Sequence, residues 1–278
     1  MKASLRVTLY GGALAVLCAF AAAYSGSGQP LTSELPKTVE IKDLTWVEVR
    51  TAIQAGYKTA LVPTGGIEQN GPHMILGKHD YIVAWAANRI AREAGATLVA
   101  PIVSYVPEGD YEPATGHMRF PGTIGVTPAA FASVLEGIAR SLKAHGFTYI
   151  LYMGDHGQSQ PVQSEVAARL SQEWKHDGVR VFNLDAYYDD AAQIKRLEAE
   201  GETSGSIGQH AALIDTSELM AVHSAGVTLA KLPPVDAATE PTGASGDPAR
   251  ASAQRGADLI AMRVEAAVAQ ITALRLPH

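Results

Sequence analysis

Short apolar runs alternate with longer amphipathic stretches along most of this chain, and that alternation leaves few architectures open. The runs, residues 59–63, 97–103, 149–153 and 180–183, have the length and composition of buried strands. Between them, residues 81–94, 128–144 and 162–174 repeat Ala, Leu, Ile and Val at helical spacing. Strands separated by helices in this way are joined by right-handed crossovers and run parallel. The expectation is an α/β domain on a mainly parallel sheet, with a last Ala-rich stretch, 248–274, packed on it as a C-terminal helix.

The first residues follow a different pattern. Lys2 and Arg6 precede an apolar run from Leu9 to Phe20 that ends in alanines, which reads as a secretory signal peptide cleaved near Ala23. The run falls short of the roughly 20 residues that span a bilayer. The expected organisation is a signal peptide (1–23), a polar linker (24–37) and one domain (38–278), exported to the periplasm or secreted, with no membrane partner after cleavage. Cys18, the single cysteine, leaves with the first segment, which excludes thiol chemistry and cysteine metal sites from the mature chain. A domain of this length holds itself together by burial without disulfides. Lys and Arg total 22 against 28 Asp and Glu, and no basic run occurs, which excludes a nucleic-acid partner.

In open parallel sheets, ligands bind beyond the carboxyl ends of the strands. The segments there are rich in functional groups: TGGIEQNGPHMILGKHD (64–80), YVPEGDYEPATGHMRFPGT (105–123) and GDHGQSQ (154–160), with GQHAALIDTSE (208–218) further on. Of nine histidines, five (His73, His79, His117, His156 and His210) fall in these four segments. Glu68, His79, Asp80 and His156 are the carboxylate and imidazole types that bind zinc, manganese or iron. Asp155 reads either as a ligand, as a group holding an imidazole N–H, or as a turn residue capping the next helix.

GGIEQNGPHMILGKHD, GDHGQ and HAALIDTS, with the TGHMRFPGT stretch between them, resemble the creatininase family of metal-dependent amidohydrolases over roughly residues 38–275. The resemblance implies a three-layer α/β/α sandwich, a divalent metal site of one or two ions, hydrolysis of a C–N amide bond in a small-molecule substrate, and a homo-oligomer, a hexamer in the family. Carried over by position, Glu68 and His156 match metal ligands, and His210 matches a histidine assigned to catalysis, with Asp215 where the family has glutamate. Asn70 stands in place of a metal-binding histidine and Gln158 in place of a glutamate ligand. At the bridging aspartate the alignment offers His79 or, with a one-residue insertion, Asp80. His73 and His117, with Asn70, Asp155 and Gln158, are expected to line or support the pocket. The tryptophans that close over creatinine in the family have no counterpart between Asn183 and His210, which points away from creatinine itself.

These residues predict an exported metal-dependent hydrolase in which metal-activated water attacks an amide or cyclic amide and His210 protonates the leaving nitrogen. Hydrolysis of a lactone or ester on the same site is the alternative, as is a non-catalytic small-molecule binder left by the substitutions at Asn70 and Gln158.

Overall fold

The computed structural model describes residues 36–233 and 242–276, so the expected export segment and most of the linker lie outside the described residues. Four strands form at the expected places: β1 (Thr59–Thr64), β2 (Thr97–Val99), β3 (Tyr149–Gly154) and β4 (Arg180–Asn183). They build a parallel sheet in the order β2-β1-β3-β4. The longer helices before β4 are α1 (Trp46–Gln54), α2 (Lys78–Ala94), α3 (Pro128–Ala144) and α4 (Ser159–Glu173). After β4 come α5 (Asp185–Tyr188), α6 (Ala191–Ala199), α7 (Ser204–Ile207), α8 (Leu213–His223) and the long C-terminal α9 (Ala253–Arg275).

The two-residue period of a strand sends successive side chains to opposite faces, and both faces here are apolar. Leu61, Val99, Leu151 and Met153 pack with Ile82, Val83 and Ile90 of α2 and Ile260, Val264 and Ile271 of α9. Ala60, Val62, Leu98, Ile150 and Tyr152 pack on the other side with Phe131 and Leu135 of α3 and Val166 and Leu170 of α4. Helices thus cover both faces of the sheet, giving the three-layer sandwich, and each fully buried Leu or Ile contributes about 1.5–3 kcal/mol to holding the layers together. Trp174 is buried in the second of these cores, as its place in an amphipathic helix predicts.

Two boundaries differ from the sequence reading for local reasons. The second strand ends at Val99 rather than running to residue 103, because Pro101 has no N–H to donate. Pairing resumes one residue out of step, with Ala100 N–H donating to Leu61 O but Val103 N–H to Pro63 O. Helices α2 and α4 both start three residues earlier than their apolar periodicity, at Lys78 and Ser159. Their first turns are polar, and those turns lie where the site forms.

β1 turns outward to β2, while β3 continues the sheet on the other side of β1. The chain leaving β1 and the chain leaving β3 therefore part at their carboxyl ends and open a crevice between them, the position at which ligands bind in sheets of this kind. Among the described residues no helix is long and apolar enough to cross a membrane.

Candidate metal centre

Glu68 comes from the segment after β1 and is fully buried. Its backbone N–H donates to Leu76 O, and the Asn70 side-chain amide donates to the carbonyls of Glu68, Ile75 and Leu76, closing the segment into a tight loop. Asn70 thus serves the loop that presents Glu68, and stands outside the ligand cluster. His156 follows β3 across the crevice, and its Nε2 lies 2.9 Å from Glu68 Oε2. From the long segment after β2 comes Glu108. Its chain turns back through Gly109, whose φ of +125° suits glycine. The return is fixed by His117 N–H donating to Glu108 O, so Glu108 and His117 arrive together.

The ligand atoms of Glu68, Glu108, His117 and His156 all lie within 4.8 Å of one another. Glu108 Oε2 is 3.1 Å from His156 Nε2, and His117 Nε2 is 3.2 Å from Glu68 Oε2. A tetrahedral ion with bonds of about 2.0–2.2 Å sets its ligands about 3.3–3.6 Å apart, close to this spacing. Because the His156 N–H direction is taken by Glu68, both oxygens of Glu108 are buried without a hydrogen-bond donor among the described residues, His156 Nε2 standing beside Oε2 as an ion-pair contact only. Burial, with the Glu68 charge adding to it against the pull of His156, raises the Glu108 carboxyl above its ordinary range. Two buried carboxylates that share a single imidazole, His156, suit a cation between them, and a carboxylate–imidazole donor set suits zinc or manganese.

Burial alone would lower the His156 pKa, but Glu108 and Glu68 raise it to about 9, and His117 is held in a different state. Burial lowers its pKa to about 4, so its ring is neutral. Gln69 donates its amide N–H to His117 Nδ1, in an orientation fixed because the Gln69 carbonyl accepts Gly71 N–H. The proton of the neutral ring therefore sits on Nε2, facing the cluster as a donor. With His117 in that tautomer, Glu68, Glu108 and His156 would be the three members of the cluster able to hold an ion, leaving a fourth position open as in catalytic sites.

The other oxygen of Glu68 faces a second group. Oε1 lies 2.7 Å from His79 Nε2, 3.6 Å from Lys78 Nζ and 3.7 Å from His210 Nδ1. His79 also donates through Nδ1 to Asp155 Oδ2 at 2.7 Å. Burial and Lys78 oppose a charge on this ring, but Glu68 and Asp155 outweigh them and raise its pKa. Asp155 is fixed in turn by the Tyr187 hydroxyl at 2.9 Å and by Arg263 Nη2 at 2.8 Å. For Glu68 itself, burial alone would raise the carboxyl; His79 and His156 reverse this and hold it well below the ordinary value.

His79 and Asp80 were open alternatives for one ligand position, and only His79 reaches Glu68. Consecutive residues on a helix point about 100° apart, so the first turn of α2 can aim one of them at the cluster. Asp80 accepts hydrogen bonds from Gly66 N–H at 3.2 Å and from the Ser104 hydroxyl at 2.6 Å. A Cβ at position 65 would sit 1.8 Å from Asp80 Oδ1, which explains the glycine there. Neither His79 nor Asp80 is among the four clustered donors: His79 spends both nitrogens on carboxylates, and Asp80 ties the loop to α2.

His210 donates Nε2–H to Gln69 O at 2.9 Å, which leaves Nδ1 bare and facing the crevice. Burial and Lys78 lower its pKa, keeping the ring neutral. Asp215, on the first turn of α8, accepts from Lys78 at 2.9 Å and from Ala211 N–H at 2.8 Å. Burial works against its charge, yet Lys78 and His210 bring its pKa down to about 2. His73 bonds Thr216 through Nε2 at 3.0 Å and fastens the Glu68 loop to α8, away from the donor cluster. Gln158 stands at the start of α4 and lines the pocket. The pocket is a cavity of about 240 Å³ walled by Glu68, Lys78, His156, Tyr188, Asp190 and His210.

A family model described as Creatininase, creatinine amidohydrolase, matches residues 42–271. The chain belongs to the creatininase family. It is 27% identical over 194 residues to the creatinine amidohydrolase of Pseudomonas putida, spanning 68% of this chain and 74% of that protein. To the mycofactocin precursor peptide peptidase of Mycolicibacterium smegmatis it is 30% identical over 219 residues, spanning 73% of this chain and 80% of that protein. A solved creatininase superposes with a TM-score of 0.72 at 25% identity, covering 87% of this chain and 100% of its own. Manganese and zinc–zinc forms of creatininase superpose equally well. This chain is thus a creatininase-family amidohydrolase, with the fold of the family and a candidate metal cluster.

Sequence reasoning did not single out Glu108, Lys78 or Arg263. Glu108 lies in the same post-strand segment as His117, flanked by Pro107 and Gly109, and a carboxylate beside a histidine in such a segment was the available signal. Arg263 sits on the buried face of α9 between Leu259, Ile260, Val264 and Ala267, where a charge needs a buried partner. Lys78 adjoins His79 and looks like a solvated surface residue until the fold buries it.

Proposed function

We propose that this chain is an exported, metal-dependent hydrolase that cleaves the C–N bond of a small amide or cyclic amide. The observation that carries this reading is the buried Glu68, Glu108 and His156 group at the sheet's switch point, with Glu108 lacking a hydrogen-bond donor among the described residues and the bare Nδ1 of His210 across the same crevice. A divalent ion held by those three residues would supply Lewis acidity toward the scissile carbonyl and lower the pKa of water. The residues around it divide the remaining work. His210 Nδ1 accepts the proton of the attacking water and passes it to the leaving nitrogen, its ring held by Gln69 O throughout. His117 Nε2–H is placed to donate to the carbonyl oxygen as negative charge builds there. The small cavity favours a small substrate over a long peptide, and the absence of tryptophan between Asn183 and His210 favours one other than creatinine. Both named relatives act, by their names, on amide-type bonds, which supports an amide over a lactone or a purely binding role.

His210→Ala is expected to keep the ion and lose about 10²–10⁴-fold in kcat, the usual contribution of a general acid–base. A screen of cyclic amides, linear amides, short peptides and lactones with the zinc- or manganese-loaded protein finds the substrate against which kcat is measured. Unchanged turnover would remove His210 from the mechanism, and hydrolysis confined to lactones would replace the amide reading. Export rests on Lys2, Arg6 and the apolar run after them, and N-terminal sequencing of the protein recovered outside the cytoplasm is expected to begin near residue 24. Light scattering on the same sample reports the homo-oligomer that the family resemblance implies.

A further inference from the structure

Among the described residues, the charged side chains that line the cavity are matched by partners, with one exception. Lys78 pairs with Asp215 at 2.9 Å, and Arg263 pairs with Asp155 and with Glu218, each at 2.8 Å. Glu68 is held by His79 and His156. Asp190 lines the same cavity, yet its carboxylate meets no cation at ion-pair distance and accepts only from its own backbone N–H. The ordinary work of an aspartate at this place is also left undone. Asp190 is the N-cap residue of α6, where an Asp side chain usually accepts an N–H of the first turn, but it makes no capping bond. Asp189 takes that part instead, its Oδ1 accepting from Ala191 N–H at 3.0 Å. Partial burial, with Asp189 and Asp215 adding to it against Arg263 and the backbone N–H, raises the Asp190 carboxyl. Asp190 remains accessible to solvent, which places it where the cavity opens. Tyr188 lines the cavity with it, and its hydroxyl stands against Gly157, where a Cβ would come within 2.8 Å of that oxygen. Ile207, Ala212 and Ile214 supply apolar lining.

We propose that Asp190 is a specificity residue that selects substrates carrying an ammonium group, seated on its carboxylate beside the Tyr188 ring while the amide lies next to Glu68 and His156. This rests on the reading of the cavity as an amide-hydrolysing site. An ammonium brings the hydrogen-bond donors that Asp190 lacks, and an aromatic face next to it adds a cation–π contact. An anionic substrate meets no unpaired side-chain cation among the described residues of the lining, because Lys78 and Arg263 are already engaged. The substrate class is therefore a small amide joined by a short apolar spacer to a protonated amine.

The test uses 4-aminobutanamide, its neutral counterpart pentanamide and the anionic succinamate, which differ at the end remote from the amide. With the manganese-loaded native protein, kcat/KM for 4-aminobutanamide is expected to exceed that for pentanamide by about tenfold or more, the contribution of one hydrogen bond to a charged group. Asp190→Asn is expected to erase this preference through KM, and Asp190→Lys to turn it toward succinamate. The Asp190 side chain bonds no other residue of the fold, so both variants are expected to keep the native circular dichroism. Calorimetric titration with 4-aminobutanamide reads the same contrast without turnover, with binding about tenfold weaker in Asp190→Asn. A kcat/KM for 4-aminobutanamide no higher than that for pentanamide, or a preference or binding that survives Asp190→Asn, would overturn the proposal. Binding that depends on Asp190 with no amide hydrolysed would instead overturn the amide reading and leave the ammonium seat standing. Neither binding nor hydrolysis would overturn both.

Discussion

Glu68→Ala is expected to yield a folded protein that retains no tightly held ion and hydrolyses nothing above background. Glu68 joins both halves of the site through its carboxylate, one oxygen among the clustered donors and the other on His79 and Lys78. Loss of a residue that merely orients a ligand costs 10–100-fold in metal affinity or activity. Loss of a ligand shared this widely costs more. Glu68→Gln keeps the shape and is expected to fail almost as fully, because an amide carries no charge and its oxygen is a weaker ligand. Elemental analysis after gel filtration, with circular dichroism as the check on folding, decides it. Full occupancy in either variant would remove Glu68 from the centre.

Arg263→Met has the largest expected effect on stability. Arg263 is buried, and its guanidinium donates to Glu218 Oε2 at 2.8 Å and to Tyr187 O at 2.9 Å while contacting Asp155 Oδ1 at 2.8 Å. It also lies 4.1 Å over the Tyr187 ring. Removing it strands two buried carboxylates, a change that typically costs about 3–5 kcal/mol. For a domain of this size that lowers Tm by about 6–20 °C, at roughly 2–4 °C per kcal/mol. Burial opposes the Asp155 charge and Arg263 is the foremost group restoring it, so the variant also loosens His79. A loss below about 1 kcal/mol by denaturant unfolding would mean that water or another donor replaces the arginine.

Much of the fold was legible because both faces of the sheet are buried, so each strand is a short continuous apolar run and each helix carries one apolar stripe. The boundaries that slipped, at Pro101 and at the starts of α2 and α4, slipped where a missing N–H or a polar first turn overrides hydrophobic periodicity. Glu68 and His156 were legible as groups just beyond strand ends. Glu108 was not, because a two-ended turn through Gly109, rather than any spacing in the sequence, returns it to the cluster. The choice between His79 and Asp80 was a question of helix phase, and the phase is set by where α2 begins. The paired histidine and lysine of that first turn looked like ordinary polar residues at a helix start, although together they neutralise the inner oxygen of Glu68.

The central claim is that one divalent ion sits among Glu68, Glu108 and His156. Anomalous diffraction from crystals of the native protein grown with zinc or manganese tests it most directly. The expected result is a single strong peak within about 2.0–2.2 Å of Glu68 Oε2, a Glu108 oxygen and His156 Nε2, with Lys78 Nζ still seated on Glu68 Oε1 and Asp215. A map with no peak there, or with the ion bound by other residues while Glu108 stays unliganded, would contradict it.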